Sequence, residues 1–200
     1  MGRPAKFDRD RAVEIVMNEI WKNGFAACSV KAISEKLGIT RSSFYNAFGS
    51  RAGLFEEALE RYFAQSPDRV LSRVDNETRV IPLLVRMFRG LCRARAGDPE
   101  GRGCMAVNGV AELVGVNDSL GPVLERAVLG SLERLEHLLR RAAANGEIED
   151  RGDLRDKALA LQNLLIGLNV MGKVVRSEED LWLAARQTLT GLGLYAPRTG

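Results

Sequence analysis

The residues with the clearest capacity for hydrogen bonding lie close together, early in the chain. Arg41, Ser42, Ser43 and Tyr45 place one guanidinium and three hydroxyls within five consecutive positions, and we call these four residues the polar set. A guanidinium donates two parallel hydrogen bonds to a planar or anionic acceptor, and hydroxyls both donate and accept. Such groups suit the recognition of a polyanion if one element turns them outward together.

The residues before the polar set predict two helices joined by a tight turn. Ser29 is a candidate N-cap, and Val30, Ile33 and Leu37 follow it at helical spacing, which gives one apolar face. Gly38 stands where that helix must end, and glycine adopts a left-handed backbone conformation without steric cost. The chain therefore turns sharply just before the polar set.

The residues after this turn predict the helix that carries the polar set. Thr40 can cap it, and Phe44 and Phe48 would pack inward at positions i and i+4. Ser50 then caps a further helix. The whole pattern is that of a helix-turn-helix, in which the first turn of the last helix enters the major groove of DNA. Arg41 would then pair with a guanine edge.

The segment from Ser29 to Phe55, with the helix before it, resembles the DNA-binding domain of the TetR family of bacterial transcriptional regulators. Cys28 stands where threonine is common, and Arg51 where lysine is usual, although arginine keeps the positive charge. The resemblance rests on the following residues: Gly24-Phe25, the frame Val30/Ile33/Leu37/Gly38/Ile39, Phe44-Tyr45 and Phe48-Gly49-Ser50-Arg51. The predicted DNA-binding residues are Lys31, Thr40, Arg41, Ser42, Ser43, Tyr45 and Arg51. Among them, Tyr45 and Arg51 are expected to hold phosphates.

Composition and charge agree with a DNA-binding protein of the bacterial cytoplasm. Of 200 residues, 46% are hydrophobic and 28% charged, and no apolar run approaches the length of a membrane span. Residues 1–51 hold nine Lys or Arg against five Asp or Glu, and Arg3 and Lys6 form a basic arm that would add salt-dependent affinity. The three cysteines have unrelated spacings, which favours reduced thiols and no structural metal or cofactor.

Helical periodicity continues to the end of the chain, so the fold class is predicted to be all-α. We expect a DNA-binding domain over 1–50, a connecting helix over 51–66 and an effector-binding and dimerisation domain over 67–200. The last two helices are rich in apolar residues, which would fit either one chain's interior or a homodimer interface. The resemblance favours the dimer. Further helices are predicted near residues 78–96, 104–115, 119–145, 153–175 and 178–192.

One predicted helix of the larger domain carries a polar stripe on an otherwise apolar surface. Cys104, Asn108 and Glu112 lie four residues apart, so they share one face. Cys104 and Asn108 are candidate effector-pocket residues, since a few polar groups orient a ligand in an apolar cavity. Alternatively, Cys104 fills space, Asn108 binds a neighbouring backbone group and Glu112 reaches solvent. The Gly-Cys pair with Asn four residues later also resembles regulators that sense electrophiles or oxidants, which would require a lowered thiol pKa near Arg102.

Catalytic chemistry finds little support in the sequence. His137 is the one histidine, it lies in a charged helical run, and no nucleophile motif accompanies it. We therefore expect a non-enzymatic homodimer that binds a pseudo-palindromic DNA operator as a repressor and is released by an unknown small-molecule effector. A cysteine-based electrophile or redox-responsive regulator is one alternative. A small-molecule-binding protein whose basic module contacts RNA or protein is another.

Overall fold

The computed structural model describes residues 8–72, 74–75 and 77–196, and every regular element within these ranges is helical. The predicted all-α class is therefore confirmed. The basic arm with Arg3 and Lys6 lies outside the described residues. A short 3-10 helix, Pro67–Ser72, which the sequence did not predict, follows the fourth helix. The α-helices are α1 (Arg9–Ala27), α2 (Val30–Leu37), α3 (Arg41–Phe48), α4 (Arg51–Gln65), α5 (Val80–Ala96), α6 (Met105–Leu113), α7 (Gly121–Ala144), α8 (Leu154–Met171) and α9 (Glu178–Gly191).

Side-chain caps fix where the first four helices begin. Asp8, Ser29, Thr40 and Ser50 each accept a hydrogen bond from the backbone N–H three residues further on, at 2.9–3.2 Å. Each of these bonds satisfies an amide that has no partner within its own helix. The caps at Ser29, Thr40 and Ser50 confirm the predictions made above.

Two glycines determine how α1, α2 and α3 follow one another. Gly24 has a φ of 80°, so the regular part of α1 ends there and only one further turn follows. Gly38 has a φ of 64°, and this left-handed residue closes α2 as predicted. Phe44 and Phe48 are buried, while Ile39 packs half-buried against the same core. The helix-turn-helix predicted from the sequence is present.

Two hydrophobic cores organise the chain, and α6 belongs to the first of them. Met105, Ala106 and Leu113 of α6, with Leu120 and Leu124 next to it, pack with the apolar residues of α1 and α4. The second core is formed mainly by α5, α7, α8 and α9. The helix-turn-helix therefore rests directly on a helix of the larger predicted domain, and a movement of α6 has a direct route to α1.

The apolar residues of the last two helices divide between the interior and the surface. Leu161, Leu165 and Leu181 are buried, but Leu159 and Leu183 are exposed, at 47% and 46%. Val170 and Met171 at the end of α8 are also exposed. One part of these helices therefore builds the subunit's own core, and another part is an uncovered apolar surface. None of the described helices is both long enough and apolar enough to cross a bilayer.

Candidate DNA-binding surface and effector cavity

The polar set lies together on the outer surface of α3. Arg41, Ser42 and Ser43 are exposed in its first turn, and Tyr45 is 52% exposed. The Tyr45 ring meets the fully buried ring of Phe44 edge-on, with 5.4 Å between the ring centroids. Because Phe44 is anchored in the core, the phenol projects from a fixed base. The arrangement offers one guanidinium and several hydroxyls to the same external partner.

Thr40 and Ser43 have a structural task in addition to any contact with DNA. The Thr40 hydroxyl accepts from the Ser43 backbone N–H at 3.1 Å, and the two side-chain hydroxyls share a hydrogen bond of 2.9 Å. That shared bond uses one of the two hydroxyl protons. The pair therefore fixes the first turn of α3 and keeps one proton to donate to an external acceptor.

The charges around α2 and α3 leave Arg41 free for an external anion. Lys36 of α2 forms an ion pair with Glu19 of α1, and the hydrogen bond from Lys36 holds the pKa of Glu19 below its ordinary value. Lys31 is exposed, with its Nζ 3.9 Å from the Glu35 carboxylate. In the parts of the chain that the structure describes, no carboxylate lies within ion-pair distance of Arg41.

Arg51 is placed differently from the sequence-based expectation. Its guanidinium lies over the Phe25 ring, 3.8 Å from the centroid, and its Nη2 donates to the Phe25 carbonyl. Nε is buried and has no hydrogen-bond partner in the structure. In this conformation the Arg51 guanidinium joins α4 to the end of α1, and its expected contact with a phosphate stays a prediction. A planar guanidinium stacks well on an aromatic face, which is the physical reason for the difference.

Glu112 connects α6 to the same end of α1. Its carboxylate accepts hydrogen bonds from the backbone N–H groups of Phe25 at 3.0 Å and Ala26 at 2.6 Å. These amides become available because Gly24 interrupts the helix just before them. The half-buried carboxylate of Glu112 is therefore bound to backbone groups, and the interpretation that it simply reaches solvent is incomplete. The side chain instead joins the helix-turn-helix to the larger domain.

A second connection joins the helix-turn-helix to the larger domain, and it was not predicted from the sequence. The indole N–H of Trp21 donates to the Gly103 carbonyl at 3.1 Å, and the Arg102 guanidinium covers the indole ring, 3.8 Å from its centroid. Asp98 binds the Arg102 side chain and accepts from its backbone N–H at 2.7 Å. A tryptophan at the edge of the α1 apolar stripe was the available sequence signal, because a half-buried indole needs an acceptor.

A small internal cavity of about 50 Å³ lies among α4, the 3-10 helix, α5, α6, α7 and α8. Cys104 is one of its lining residues, and its contact with an effector stays a prediction. Asn108 does not line the cavity, so the prediction of Asn108 as a second pocket residue is wrong. Its amide donates to the Arg102 carbonyl at 2.8 Å and accepts from Lys173 Nζ at 3.2 Å. Asn108 thus satisfies the backbone at the start of α6, as its alternative interpretation proposed.

The polar groups of the cavity belong mainly to residues that the sequence did not single out. Arg95 donates from Nε to Asn169 Oδ1 at 2.5 Å and from Nη2 to the Tyr62 hydroxyl at 3.0 Å. Burial and the neighbouring Cys104 thiol raise the pKa of Tyr62, so its phenol stays protonated. Ser131 donates to Gln162 on the opposite wall at 2.9 Å. A signal for Arg95 did exist, because it continues the apolar stripe of α5 at helical spacing.

Over residues 8–72, 74–75 and 77–196, no cluster of His, Cys, Asp and Glu has the arrangement of a metal site. The arrangement instead provides a hydrogen-bonding outer surface and a mainly apolar cavity with a few polar groups, connected through α1, α4 and α6. Direct side-chain contacts therefore link the helices around the cavity to the helices that carry the outer surface.

Known proteins share this architecture. The chain is 26% identical over 193 residues to the HTH-type transcriptional repressor ComR of Escherichia coli K12, covering 94% of this chain and 90% of ComR. A CifR cysteine mutant, a TetR family transcriptional regulator solved with a 26-bp double-strand operator DNA, is 27% identical with a TM-score of 0.81. That match covers 94% of this chain and 98% of CifR. Reduced NemR of E. coli, 19% identical with a TM-score of 0.75 over 91% of this chain and 95% of NemR, shares the fold.

Family models match both parts of the chain. The model of "Bacterial regulatory proteins, tetR family" matches residues 17–58, which span the helix-turn-helix. The model of "Tetracyclin repressor-like, C-terminal domain" matches residues 81–188, which is more than half of the chain. These two matches confirm the resemblance inferred from the first quarter of the sequence and extend it to the larger domain. The chain belongs to the TetR family of bacterial regulatory proteins.

Proposed function

We propose that this protein is a sequence-specific, DNA-binding transcriptional repressor that leaves its operator when a small molecule occupies the larger domain. The observation that carries the proposal is the shared outward orientation of the polar set on α3, above a core fixed by Phe44 and Phe48. ComR is named a repressor and CifR was solved on operator DNA, which supports the same role here. With DNA as the partner, we infer a cytoplasmic protein without catalytic activity.

The chemistry of the surface assigns a task to each exposed group. Arg41, which has no nearby carboxylate, pairs with the acceptor edge of guanine in the major groove. Tyr45 donates its hydroxyl to a phosphate, and the free proton of the Thr40 and Ser43 pair does the same. Lys31 adds a phosphate contact from the start of α2. Arg51 contributes indirectly, because it holds α4 against α1.

We further propose a homodimer formed through the exposed apolar surface of α8 and α9, to which Leu159 and Leu183 belong. Two copies related by a two-fold axis place their α3 helices in successive major grooves about 34–36 Å apart, which requires a pseudo-palindromic operator. Leu159→Lys, which puts a charge into this surface, should convert the dimer to a monomer in sedimentation velocity. A persistent dimer would remove α8 from the interface.

Release by an effector follows from linkage. A ligand shifts the DNA-binding equilibrium only if it binds the two conformations with different affinity. The cavity touches Phe63 of α4 and Ala106 of α6, and both helices pack against α1 of the DNA-binding unit. A ligand that separates the cavity walls would displace these helices. The spacing of the two α3 helices in the dimer would then change.

Selection from a random double-stranded DNA library tests the DNA-binding function. We expect enrichment of an inverted repeat, and binding to it measured by fluorescence anisotropy should weaken steeply as salt increases. Arg41→Ala should weaken binding about 10- to 100-fold and relax the preference at one base position. Tyr45→Phe should weaken binding more modestly and uniformly across sequences.

Arg126→Ala is the matched control. Arg126 is an exposed arginine of α7, so its substitution removes the same charge as Arg41→Ala but from a helix outside the helix-turn-helix. Its affinity for the selected DNA should equal that of the wild type at each salt concentration. Failure to enrich any DNA sequence, or selective binding to RNA over duplex DNA, would overturn the proposed function.

A further inference from the structure

Arg95 is a buried cation with neutral partners only. The residue is 4% exposed and lies on the inner face of α5, in line with Leu84 and Leu91. Its partners are the Asn169 amide oxygen and the Tyr62 hydroxyl, and Nη1 has no acceptor among the described residues. A buried charge is costly unless an opposite charge and hydrogen bonds compensate it.

The surroundings of Arg95 do not supply that opposite charge. Its neighbour in sequence, Asp98, is already bound to Arg102. Asp68 also lines the cavity, but it accepts from the Ser66 hydroxyl and lies beyond ion-pair distance of Arg95. The Tyr62 phenol stays protonated and therefore carries no charge. The wall of the cavity thus holds a guanidinium that forms no ion pair with any described residue.

An open groove of about 320 Å³ adjoins this cavity, and the two share Phe63, Asp68, Ala127 and Ser131. Arg69 and Arg134 line the outer groove beside Asp68. The path from solvent to Arg95 therefore carries more positive than negative charge. This excess of positive charge creates a positive electrostatic potential, which low-dielectric walls strengthen. Such a potential would draw a small anion inward.

We propose that the cavity binds a small organic carboxylate, which pairs with Arg95 and lays an apolar tail against the apolar residues of α5, α6, α7 and α8. A carboxylate accepts two parallel hydrogen bonds from a guanidinium, so it supplies both the missing charge and an acceptor for Nη1. Leu91, Val107, Val128 and Ile166 offer the apolar contacts, and Gln162 offers a further polar group. The identification of this ligand as the effector rests on the proposed repressor function.

The volume of the cavity connects binding to movement. About 50 Å³ holds little more than a carboxylate head group, so a longer tail either extends into the outer groove or pushes the cavity walls apart. Tyr62, which binds Arg95, also meets the Trp21 ring of α1 edge-on, with 5.1 Å between centroids. A displacement at Arg95 would therefore be transmitted directly to the helix that supports the DNA-binding unit.

Titration calorimetry on the full-length protein tests the proposal with acetate, butanoate and hexanoate, each beside its neutral amide at constant pH and ionic strength. We expect at least one carboxylate to bind about 10- to 100-fold more tightly than its amide, since the amide lacks the charge-assisted pair. Arg95→Gln should abolish this preference and Arg95→Lys should keep part of it. Arg86→Gln, a substitution of an exposed arginine of α5 that lines neither the cavity nor the groove, should leave it unchanged.

Equal affinity for every carboxylate and its amide in the wild type would overturn the proposal, and this comparison does not require a folded variant. An unchanged preference in Arg95→Gln would overturn it as well. A parallel titration against the selected DNA separates the two proposals. DNA binding without carboxylate preference refutes only the ligand class, whereas carboxylate binding by a protein that binds no DNA refutes only the repressor function.

Discussion

The carboxylate of Glu112 should determine how firmly the DNA-binding unit is held on the larger domain. It accepts two backbone hydrogen bonds from the chain just after Gly24. Glu112→Gln keeps the shape of the side chain but replaces one acceptor oxygen by an NH₂ group. That group would face a backbone N–H that also needs an acceptor. The substitution therefore removes one of the two hydrogen bonds. The other hydrogen bond remains, but its acceptor no longer carries a negative charge.

The expected loss of stability follows from the lost hydrogen bond and the lost charge. A hydrogen bond to a charged group contributes about 1.5 to 3 kcal/mol, and an unpaired buried donor has a cost of similar size. Because Glu112 is half-buried, water offsets part of the loss, and we expect the free energy of unfolding to fall by about 2 kcal/mol. With a denaturant slope of about 2 to 3 kcal/mol/M for a chain of this size, the urea midpoint should fall by about 0.7 to 1 M.

Urea unfolding in a Trp182→Phe background measures the effect, because Trp21 then reports alone from the interface between the units. Hydrogen exchange at the Phe25 and Ala26 amides should accelerate in the same variant. Glu125→Gln is the control, since Glu125 is an exposed residue of α7. A wild-type midpoint together with unchanged exchange at these two amides would refute the assigned role of Glu112.

Three other perturbations have defined outcomes. Gly38→Ala should lower the melting temperature, because alanine at a φ of 64° costs about 1 kcal/mol. Gly90→Ala should raise the melting temperature, because Gly90 lies within α5 and a Cβ there meets nothing within 4 Å. Shifts of equal sign in the two variants would contradict this reasoning. Burial raises the pKa of Cys28 to about 11, so iodoacetamide at pH 8 should modify it only as fast as the protein unfolds, and rapid modification of the native protein would contradict its burial. Burial alone would raise the pKa of Asp98, but the hydrogen bonds from Arg102 outweigh burial and lower the pKa below its ordinary value. Stability should therefore decline as the pH falls below about 4, and the decline should be smaller in Asp98→Asn; an equal decline in acid unfolding would contradict this role of Asp98.

The sequence alone was sufficient for the features that depend on neighbouring residues. The Thr40 cap, the left-handed Gly38 and the inward direction of Phe44 are each set within a few positions of the chain. Side chains at fixed helical spacing must share a face, so the outward direction of Tyr45 followed as well. The family resemblance rests on these same local features.

Tertiary structure decided the partners of every side chain that reaches across the fold. Arg51 binds Phe25 from a position 26 residues later, and Asn108 turns toward Lys173, 65 residues away, instead of toward the cavity. Arg95 marks the cavity because three helices bring it to Tyr62 and Asn169. Spacing along one helix fixes only the face on which a residue lies. The packing of the other helices against that face determines whether the residue meets solvent, a neighbouring side chain or a ligand.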